Sequence, residues 1–382
     1  MDDRTIEVTS PEELGLVPAR LDELVRRIRE EVDEGRLPSC QVAVARHGRV
    51  GLFETFGDAT AGSRYRTFSA VKPVVASVVW LLIQEGALDP AQRVADVIPE
   101  FGANGKAVVT IEQVMLHTCG FPTPRLGPPE WDDADTRLKV MAAWPLEWEP
   151  GTRFEYHATS AHWVLAALIE CVSGEDFRAF VRRRVIAPLG LTRLAVGVPA
   201  AEQADLNRLV AVGTDVTPDE LEAALGVCEL PPSPVTFEAL MANETESVEV
   251  GVPGSGGVST AADIALFYQT LLHNDAGLWT AETLRRFTAE VRNRFPDAGG
   301  VEVNRSLGMV IAGDDGKAML RGFGRSVSGR TFGHAGAGGQ LAWADPETGL
   351  SFGFVTNGRE RNVLLEWRRS NSINTRAGLC AQ

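Results

Sequence analysis

Residues 69–83, which read SAVKPVVASVVWLLI, include the longest apolar stretch of the chain. From Val71 to Ile83 it is apolar on every side of a helix, a pattern that predicts a helix buried at the centre of a domain. A lysine, a proline and a serine interrupt the apolar residues, and the chain contains no run of 18 apolar residues. A membrane-spanning helix is therefore not expected.

The sequence on both sides of this helix has clear strand and helix patterns. Strands are predicted at residues 41–46 and 49–56, joined by a turn at His47 and Gly48, and later at 307–312, 317–324, 330–334, 340–345 and 350–356. Helices are predicted at residues 19–33, 162–172, 177–185 and 261–272. This order implies one sheet built from both ends of the chain, with the helical middle as an insertion.

Two long stretches have no regular pattern. Residues 121–135 contain several prolines and Trp131, and residues 226–257 contain Pro231, Pro232, Pro234 and Pro253. Loops of this length in a compact protein are more often functional lids than plain connections, although a plain connection remains an alternative.

Composition and charge exclude several classes of protein. The chain has 382 residues, of which 44% are apolar and 23% charged, values typical of a globular protein. Its formal net charge of −14 repels phosphate backbones, so nucleic acid is not expected as a partner. The N-terminus lacks the basic and apolar regions of a signal peptide, and the five cysteines form no C-x-x-C pair. Reduced thiols and a cytoplasmic location are therefore expected.

Several common catalytic motifs are absent from the sequence. There is no G-x-S-x-G, which excludes a nucleophile elbow of the α/β-hydrolase type, and no H-E-x-x-H or P-loop. His157 and His162 are five residues apart, but no set of cysteines or carboxylates accompanies them at metal-ligand spacing. No metal and no cofactor are expected.

Ser69 and Lys72 are the first candidates for chemistry. Residues three apart at the start of a helix share one face, so the amine reaches the hydroxyl. A serine becomes a nucleophile when a base lies beside it, and a buried lysine with a lowered pKa is such a base. The chain has only four lysines, and arginine cannot act as a base. The alternative is an ordinary helix serine beside a lysine whose ammonium extends to solvent.

Two further stretches have residues suited to a cleft. Tyr156 lies where the turn EPGTRFEYH (149–157) passes into a helix, so its phenol is placed to project into a cleft. The stretch GHAGAGG (333–339) is a glycine-rich strand edge, which allows close approach of a ligand and donation of a backbone N–H to an oxyanion. Taken singly, the tyrosine also fits a place at the edge of the core, and the glycine-rich stretch fits a bulge with a surface histidine.

Taken in order, these elements resemble the serine β-lactamase and penicillin-binding protein superfamily. Ser69 and Lys72 resemble its S-x-x-K motif, Tyr156 the tyrosine of its Y-x-N motif, and His334 with the next two residues its K-T-G motif. Three flanking stretches are similar as well: LHTCGFP (116–122), PGTRFEY (150–156) and GGVSTA (256–261). The resemblance spans residues 15–357, and six ordered matches make it specific.

Two departures from these motifs indicate a branch of the superfamily. Ala158 replaces the asparagine of Y-x-N, and His334 replaces the lysine of K-T-G, which in β-lactam-binding members holds a substrate carboxylate. A histidine is mostly neutral near pH 7. The chain is therefore most similar to the class C β-lactamase-like carboxylesterases, also called family VIII esterases, and an uncharged ester is the expected substrate.

The resemblance implies a mixed α/β (α+β) fold of the β-lactamase/transpeptidase type, in which helices flank an antiparallel sheet. Residues 1–66 and 250–382 would form a discontinuous α/β domain, and residues 67–249 an inserted helical domain. The active site would lie in the cleft between them.

The implied mechanism passes through an acyl-enzyme. Ser69 would attack the ester carbonyl while neutral Lys72 takes its proton, and Tyr156 would protonate the leaving alkoxide and later activate water. The backbone N–H groups of Ser69 and Ala337 would hold the oxyanion, and His334 would polarise this network. The residues expected to bind substrate are Phe121, Trp131, Gly336 and Gly338.

Other functions use the same residues. An acyltransferase would share the acyl-enzyme and differ only in the acceptor that resolves it. A D-amino-acid amidase or peptidase and a true β-lactamase are further alternatives, and the altered motifs leave a non-catalytic binding protein open. A small-molecule ester is the expected partner, and the sequence does not specify an oligomeric state.

Overall fold

The computed structural model describes residues 6–230, 237–242 and 244–382. The helices are α1 (Pro18–Asp33), α2 (Lys72–Gln84), α3 (Val94–Val97), α4 (Ile111–Met115), α5 (Ala134–Ala143), α6 (Ser160–Ser173), α7 (Phe177–Val181), α8 (Pro218–Leu225), α9 (Phe237–Ala242), α10 (Glu244–Val250), α11 (Ala261–His273), α12 (Ala281–Thr288) and α13 (Val363–Ala377). The strands are β1 (Ser39–Arg46), β2 (Arg49–Gly57), β3 (Tyr65–Arg66), β4 (Ala195–Val196), β5 (Val210–Val212), β6 (Gly257–Ser259), β7 (Val310–Ile311), β8 (Phe332–Gly333), β9 (Leu341–Asp345), β10 (Leu350–Thr356) and β11 (Gly358–Glu360). Short 3₁₀ turns include Phe68–Val71 and Ala318–Arg321, and a π turn covers Arg182–Ile186.

The central sheet has six antiparallel strands in the order β2-β1-β10-β9-β8-β7. Two of its strands come from residues 39–57 and four from residues 310–356. This confirms the predicted sheet built from both ends of the chain. Strands β3, β6 and β4 form a separate small sheet, and β5 pairs with β11 in parallel.

Strand β1 is covered on both faces, because helices pack on each side of the sheet. Successive side chains of a strand point to opposite faces. Val42 accordingly packs in the cluster that includes α1 and α13, and Ala43 packs with the alanines of α11. A Cβ atom on Gly353 of the neighbouring strand would lie 2.2 Å from the carbonyl oxygen of Ala261, so α11 lies directly on the sheet.

A buried ion cluster fixes α13 against the other elements. Nε of Arg369 lies 2.9 Å from Oε2 of Glu31 in α1, and its Nη2 lies 2.8 Å from Oε2 of Glu360 in β11. All three side chains are buried. Such a cluster resists rearrangement, because separating one partner leaves an uncompensated charge in the interior.

Helix α2 lies within the largest hydrophobic cluster, as its sequence predicts. The ring of Trp80 stacks on Phe287 with centroids 4.9 Å apart, and its Nε1 donates to the carbonyl oxygen of Leu307 at 2.8 Å. These contacts join α2 to the chain just before β7. Across residues 6–230, 237–242 and 244–382, none of the helices has both the length and the apolar character needed to cross a membrane.

The structure corrects two of the predicted elements near the end of the chain. Residues 317–324 do not form a strand; they contain the 3₁₀ turn Ala318–Arg321, which ends at Gly322 with φ 91°. The side chain of Arg321 holds this turn by donating to the carbonyl oxygen of Ala312 at 2.7 Å. The predicted strand 307–312 is reduced to β7, because the chain turns at Gly308 with φ 107°.

The second long stretch is more regular than expected. Residues 226–257 include α9, α10 and the start of β6, so the prediction of an irregular stretch is wrong for this part. Pro231, Pro232 and Pro234 lie outside the described residues. Most of residues 121–133 have no helix or strand, as predicted. Helix α13, which the sequence analysis did not predict, packs with α1 in the hydrophobic cluster on one face of the sheet.

Candidate active site

Ser69 lies on the 3₁₀ turn that leads into α2. The preceding residue, Phe68, has φ 47°, a left-handed conformation that is strained for a bulky side chain. Residues around Ser69 are buried, whereas Ser69 itself is only half-buried. The strained turn therefore presents one hydroxyl group to the open side of the protein.

Lys72 is the first residue of α2, and its side chain is fully buried. Its Nζ lies 3.2 Å from Oγ of Ser69 and 2.7 Å from each of the carbonyl oxygens of Ala158 and Gly254. Burial lowers the pKa of Lys72 below its usual value, and the charge of Arg305 lowers it further, while Tyr156 opposes the change. The surroundings therefore favour the neutral amine more than water does.

The hydrogen-bond partners of Lys72 orient its side-chain amine. A neutral amine has two N–H donors and one lone pair. When the amine is neutral and the two carbonyl oxygens accept both hydrogens, its lone pair faces the hydroxyl of Ser69. This arrangement is suited to proton transfer from Ser69 to the amine.

Tyr156 faces the same hydroxyl from the other side. Its Oη donates to Oγ of Ser69 at 2.8 Å, and its ring centroid lies 5.1 Å from Nζ of Lys72. Tyr156 is half-buried and lies just before α6, as the sequence predicts. The structure therefore brings Tyr156 to the pair Ser69 and Lys72, although the sequence places it in a separate segment.

The glycine-rich stretch after β8 lies against the turn that holds Ser69. Gly336 and Gln340 exchange backbone hydrogen bonds of 2.8 and 3.1 Å, and a Cβ atom on Gly336 would lie 2.2 Å from the carbonyl oxygen of Thr67. Among the described residues, the N–H groups of Ser69 and Ala337 have no backbone or side-chain acceptor. Two unpaired N–H groups beside a serine hydroxyl are suited to bind an oxyanion.

His334 lies beside Tyr156, with ring centroids 5.9 Å apart. Its Nδ1 lies 2.8 Å from the carbonyl oxygen of Ala335, and its buried Nε2 has no partner among the described residues. Burial is the main cause that holds the pKa of His334 well below its usual value, so the ring is neutral at physiological pH. Gly338, two residues after Gly336, has φ 82° and packs against the side chain of Arg359.

The structure places Phe121 and Trp131 in the hydrophobic core of the helical region. Phe121 has no exposed surface, and its ring packs against Phe101, Trp144 and His157. Trp131 is 6% exposed, and its carbonyl oxygen accepts from the side chain of Arg137. Phe121 therefore contacts a ligand only if its neighbours move.

The structure also brings residues to the site that the sequence analysis did not select. Gly254 contributes a carbonyl oxygen to Lys72, and a Cβ atom there would lie 3.1 Å from Nζ of Lys72. The guanidinium of Arg305 lies over the ring of Tyr156. His117 packs 4.9 Å from that ring on another side. Gly254 lies in the long stretch 226–257, which the sequence indicates as a candidate lid. No motif indicates Arg305.

Four of the six histidines of the chain surround the site, namely His117, His157, His162 and His334. Burial is the main cause that lowers the pKa of each of them, to about 3 for His157. Within the described part of the chain, no group of three or more histidine, cysteine or acidic side chains has an arrangement that could hold a metal ion.

Known proteins resemble this chain in sequence and in fold. A family model described as Beta-lactamase matches residues 24–373. The esterase/beta-lactamase LipL of Mycobacterium tuberculosis is 29% identical over 319 residues, which cover 78% of this chain and 70% of that protein. A penicillin-binding protein homolog from Caulobacter crescentus has a TM-score of 0.76 at 25% identity, covering 96% of this chain and 98% of that one. A family VIII carboxylesterase has a TM-score of 0.75 at 24% identity, covering 95% and 98%.

The fold and the site together define a hydrolase of the serine β-lactamase and penicillin-binding protein type, with the expected antiparallel sheet flanked by helices. The chain belongs to the beta-lactamase family, whose model matches nearly its whole length.

Proposed function

We propose that the protein is a carboxylesterase of the family VIII type, which hydrolyses small uncharged esters through an acyl-enzyme on Ser69. The observation that supports this most directly is the arrangement around Nζ of Lys72. Two carbonyl oxygens accept from the amine, and the hydroxyl of Ser69 lies at the remaining position.

In the first half-reaction, Oγ of Ser69 forms a bond to the ester carbonyl carbon while its proton passes to Nζ of Lys72. The carbonyl π electrons move to the oxygen, which the N–H groups of Ser69 and Ala337 hold. When the tetrahedral intermediate collapses, the alcohol leaves as an alkoxide and takes the proton of Tyr156. The products are the free alcohol, the acyl-enzyme, a phenolate at Tyr156 and an ammonium at Lys72.

In the second half-reaction, the phenolate of Tyr156 takes a proton from water as that water attacks the acyl carbonyl carbon. Oγ of Ser69 then leaves and takes back its proton from the ammonium of Lys72. Both side chains return to their starting protonation states, and the net reaction consumes one water for each ester. The remaining group, His334, stays neutral and polarises this network beside Tyr156.

The preference for an uncharged ester rests on the residues that replace the lysine of K-T-G and the asparagine of Y-x-N. At the position of the K-T-G lysine, burial keeps His334 neutral, so this position has no charge to offer a substrate carboxylate. At the position of the Y-x-N asparagine, Ala158 has no side-chain amide and contacts Lys72 through its main-chain carbonyl. Gly336 and Gly338 line the turn against which the substrate would lie.

The proposal extends to organisation and location. We place the division between the α/β part (residues 1–66 and 250–382) and the helical part (67–249) at the cleft that contains Ser69. A cytoplasmic location is supported by the cysteines, since all five lie in the described part and none forms a disulfide.

The deciding experiment is intact-mass measurement after brief incubation with p-nitrophenyl acetate or butyrate. A transient adduct of the acyl mass, with release of p-nitrophenol, would support the acyl-enzyme. Adding an alcohol or amine acceptor then tests the acyltransferase alternative, because an acyltransferase partitions the adduct to the acceptor in preference to water. A protein that forms no adduct with these esters or with a fluorophosphonate would contradict the proposal.

Tyr156→Phe tests the proton donor of the leaving alcohol. General acid–base groups contribute about 10²–10⁴-fold, so we expect kcat to fall by about 10²–10³-fold with p-nitrophenyl butyrate and further with esters of less acidic alcohols. The matched control is Tyr65→Phe, because the hydroxyl of Tyr65 bonds to Ser39 in the sheet region. Equal losses in the two variants would contradict the role of Tyr156.

Gly336→Ala tests the position of the turn that contains Ala337. The new Cβ would lie 2.2 Å from the carbonyl oxygen of Thr67, so backbone must move and the N–H of Ala337 moves with it. A misplacement of 1 Å costs about 10²-fold, and we expect that loss in kcat/KM with p-nitrophenyl acetate. Gly127→Ala is the control, since a Cβ there meets no atom within 4 Å. Wild-type kinetics in Gly336→Ala would refute this placement.

A further inference from the structure

Arg305 is a buried cation at the active site. Its side chain is 7% exposed, and its guanidinium carbon lies 5.2 Å from the ring centroid of Tyr156 and 5.4 Å from that of Phe154. Burial lowers the pKa of Arg305 to about 10, so it remains protonated at physiological pH. The residue therefore places a permanent positive charge beside the proton donor of the proposed reaction.

Two other buried arginines among the described residues have a carboxylate partner, unlike Arg305. Arg137 pairs with Glu170 at 2.7 Å, and Arg369 pairs with both Glu31 and Glu360. Arg305 forms no ion pair within the described ranges, and its buried Nε has no hydrogen-bond partner there. A buried charge without a counter-ion is costly, so its presence indicates an interaction with negative charge that forms during the reaction.

We propose that Arg305 supplies the fixed positive charge that the third motif lacks, stabilising the phenolate of Tyr156 between the two half-reactions and disfavouring the ammonium form of Lys72 in the free enzyme. Arg305 lies on the chain just before β7, whereas the histidine that replaces the motif lysine follows β8. This inference rests on the proposed function.

The ionisable groups that face Lys72 determine how strongly the charge of Arg305 affects its protonation. They are Tyr156, Arg305, His117, His162 and His334. Burial keeps the three histidines neutral, and none of the groups that influence Lys72 is a carboxylate. Removing the charge of Arg305 would therefore raise the pKa of Lys72, and a smaller fraction of the enzyme would have a neutral base at a given pH.

The test compares Arg305→Met with Arg305→Lys, because methionine and lysine have similar length and only lysine is charged. We measure kcat/KM against pH with p-nitrophenyl acetate, and thermal unfolding of each variant. In Arg305→Met we expect the acidic limb of kcat/KM to move up by about one pH unit. At pH values below that limb, kcat/KM of the variant is then about tenfold lower than that of wild type. Arg305→Lys should retain the wild-type limb to within a few tenths of a unit.

Two results would overturn the inference: an unchanged acidic limb in Arg305→Met, or equal shifts in the two variants. Arg305→Gln replaces the methionine variant if the latter does not fold. Failure of the proposed function is distinguishable, because the wild-type protein would then form no acyl adduct. If wild type forms the adduct but the limb does not move, only the role of Arg305 is refuted.

Discussion

Ser69→Ala is expected to form no acyl adduct and to lose about 10⁴-fold or more in kcat, since removal of a catalytic nucleophile leaves only binding and oxyanion stabilisation. The hydroxyl has two partners, Nζ of Lys72 and Oη of Tyr156, and no other hydroxyl occupies that position. The measurement is intact mass and p-nitrophenol release with p-nitrophenyl butyrate, for wild type and variant side by side.

The matched control for this variant is Ser77→Ala on the same helix. The hydroxyl of Ser77 donates to the carbonyl oxygen of Val74 at 2.7 Å, within α2, and is fully buried. We expect wild-type acylation from it. An adduct on Ser69→Ala with the same lifetime as in wild type would place the nucleophile elsewhere and refute the proposed function.

Lys72→Met is expected to have the second largest effect. Acylation should slow by about 10³-fold, because the serine then loses its proton to water instead of to a positioned amine. The folded protein should be less stable than wild type, since the carbonyl oxygens of Ala158 and Gly254 lose their donor. Stopped-flow release of p-nitrophenol gives the acylation rate, and thermal unfolding gives the stability.

Lys106→Met is an unusually close control for this variant. Lys106 is also fully buried, and its Nζ donates to the carbonyl oxygens of Ala103, Ala142 and Trp144. It contacts neither Ser69 nor Tyr156 among the described residues. We expect its loss to lower stability and leave acylation unchanged. If both variants slow acylation equally, Lys72 is not the base.

The sequence predicts the fold well where periodicity is strong. Strands β1 and β2 and helix α2 follow directly from alternation and from uniform apolar character. The predicted strand 317–324 fails because the chain there forms a 3₁₀ turn, held by Arg321 through the carbonyl oxygen of Ala312. Such side-chain contacts leave no local pattern.

The same limit applies to the site. Ser69, Lys72 and Tyr156 were found because each belongs to a short motif with a fixed residue type. Gly254 acts through a main-chain carbonyl, which any residue possesses. A glycine at this position indicates only that the chain passes close to Lys72. Arg305 acts at a distance through its charge, and no neighbouring residue in sequence marks that role.

The two carbonyl groups that hold Lys72 belong to segments far apart in the chain, at Ala158 and Gly254. In a partly folded chain, Ser69 and Lys72 are still one helical turn apart, but water surrounds the amine and keeps it protonated. The nucleophile then has no base, although every catalytic side chain is present. On the proposed mechanism, activity therefore begins only when the tertiary structure is complete, and incompletely folded molecules are not acylated by substrate.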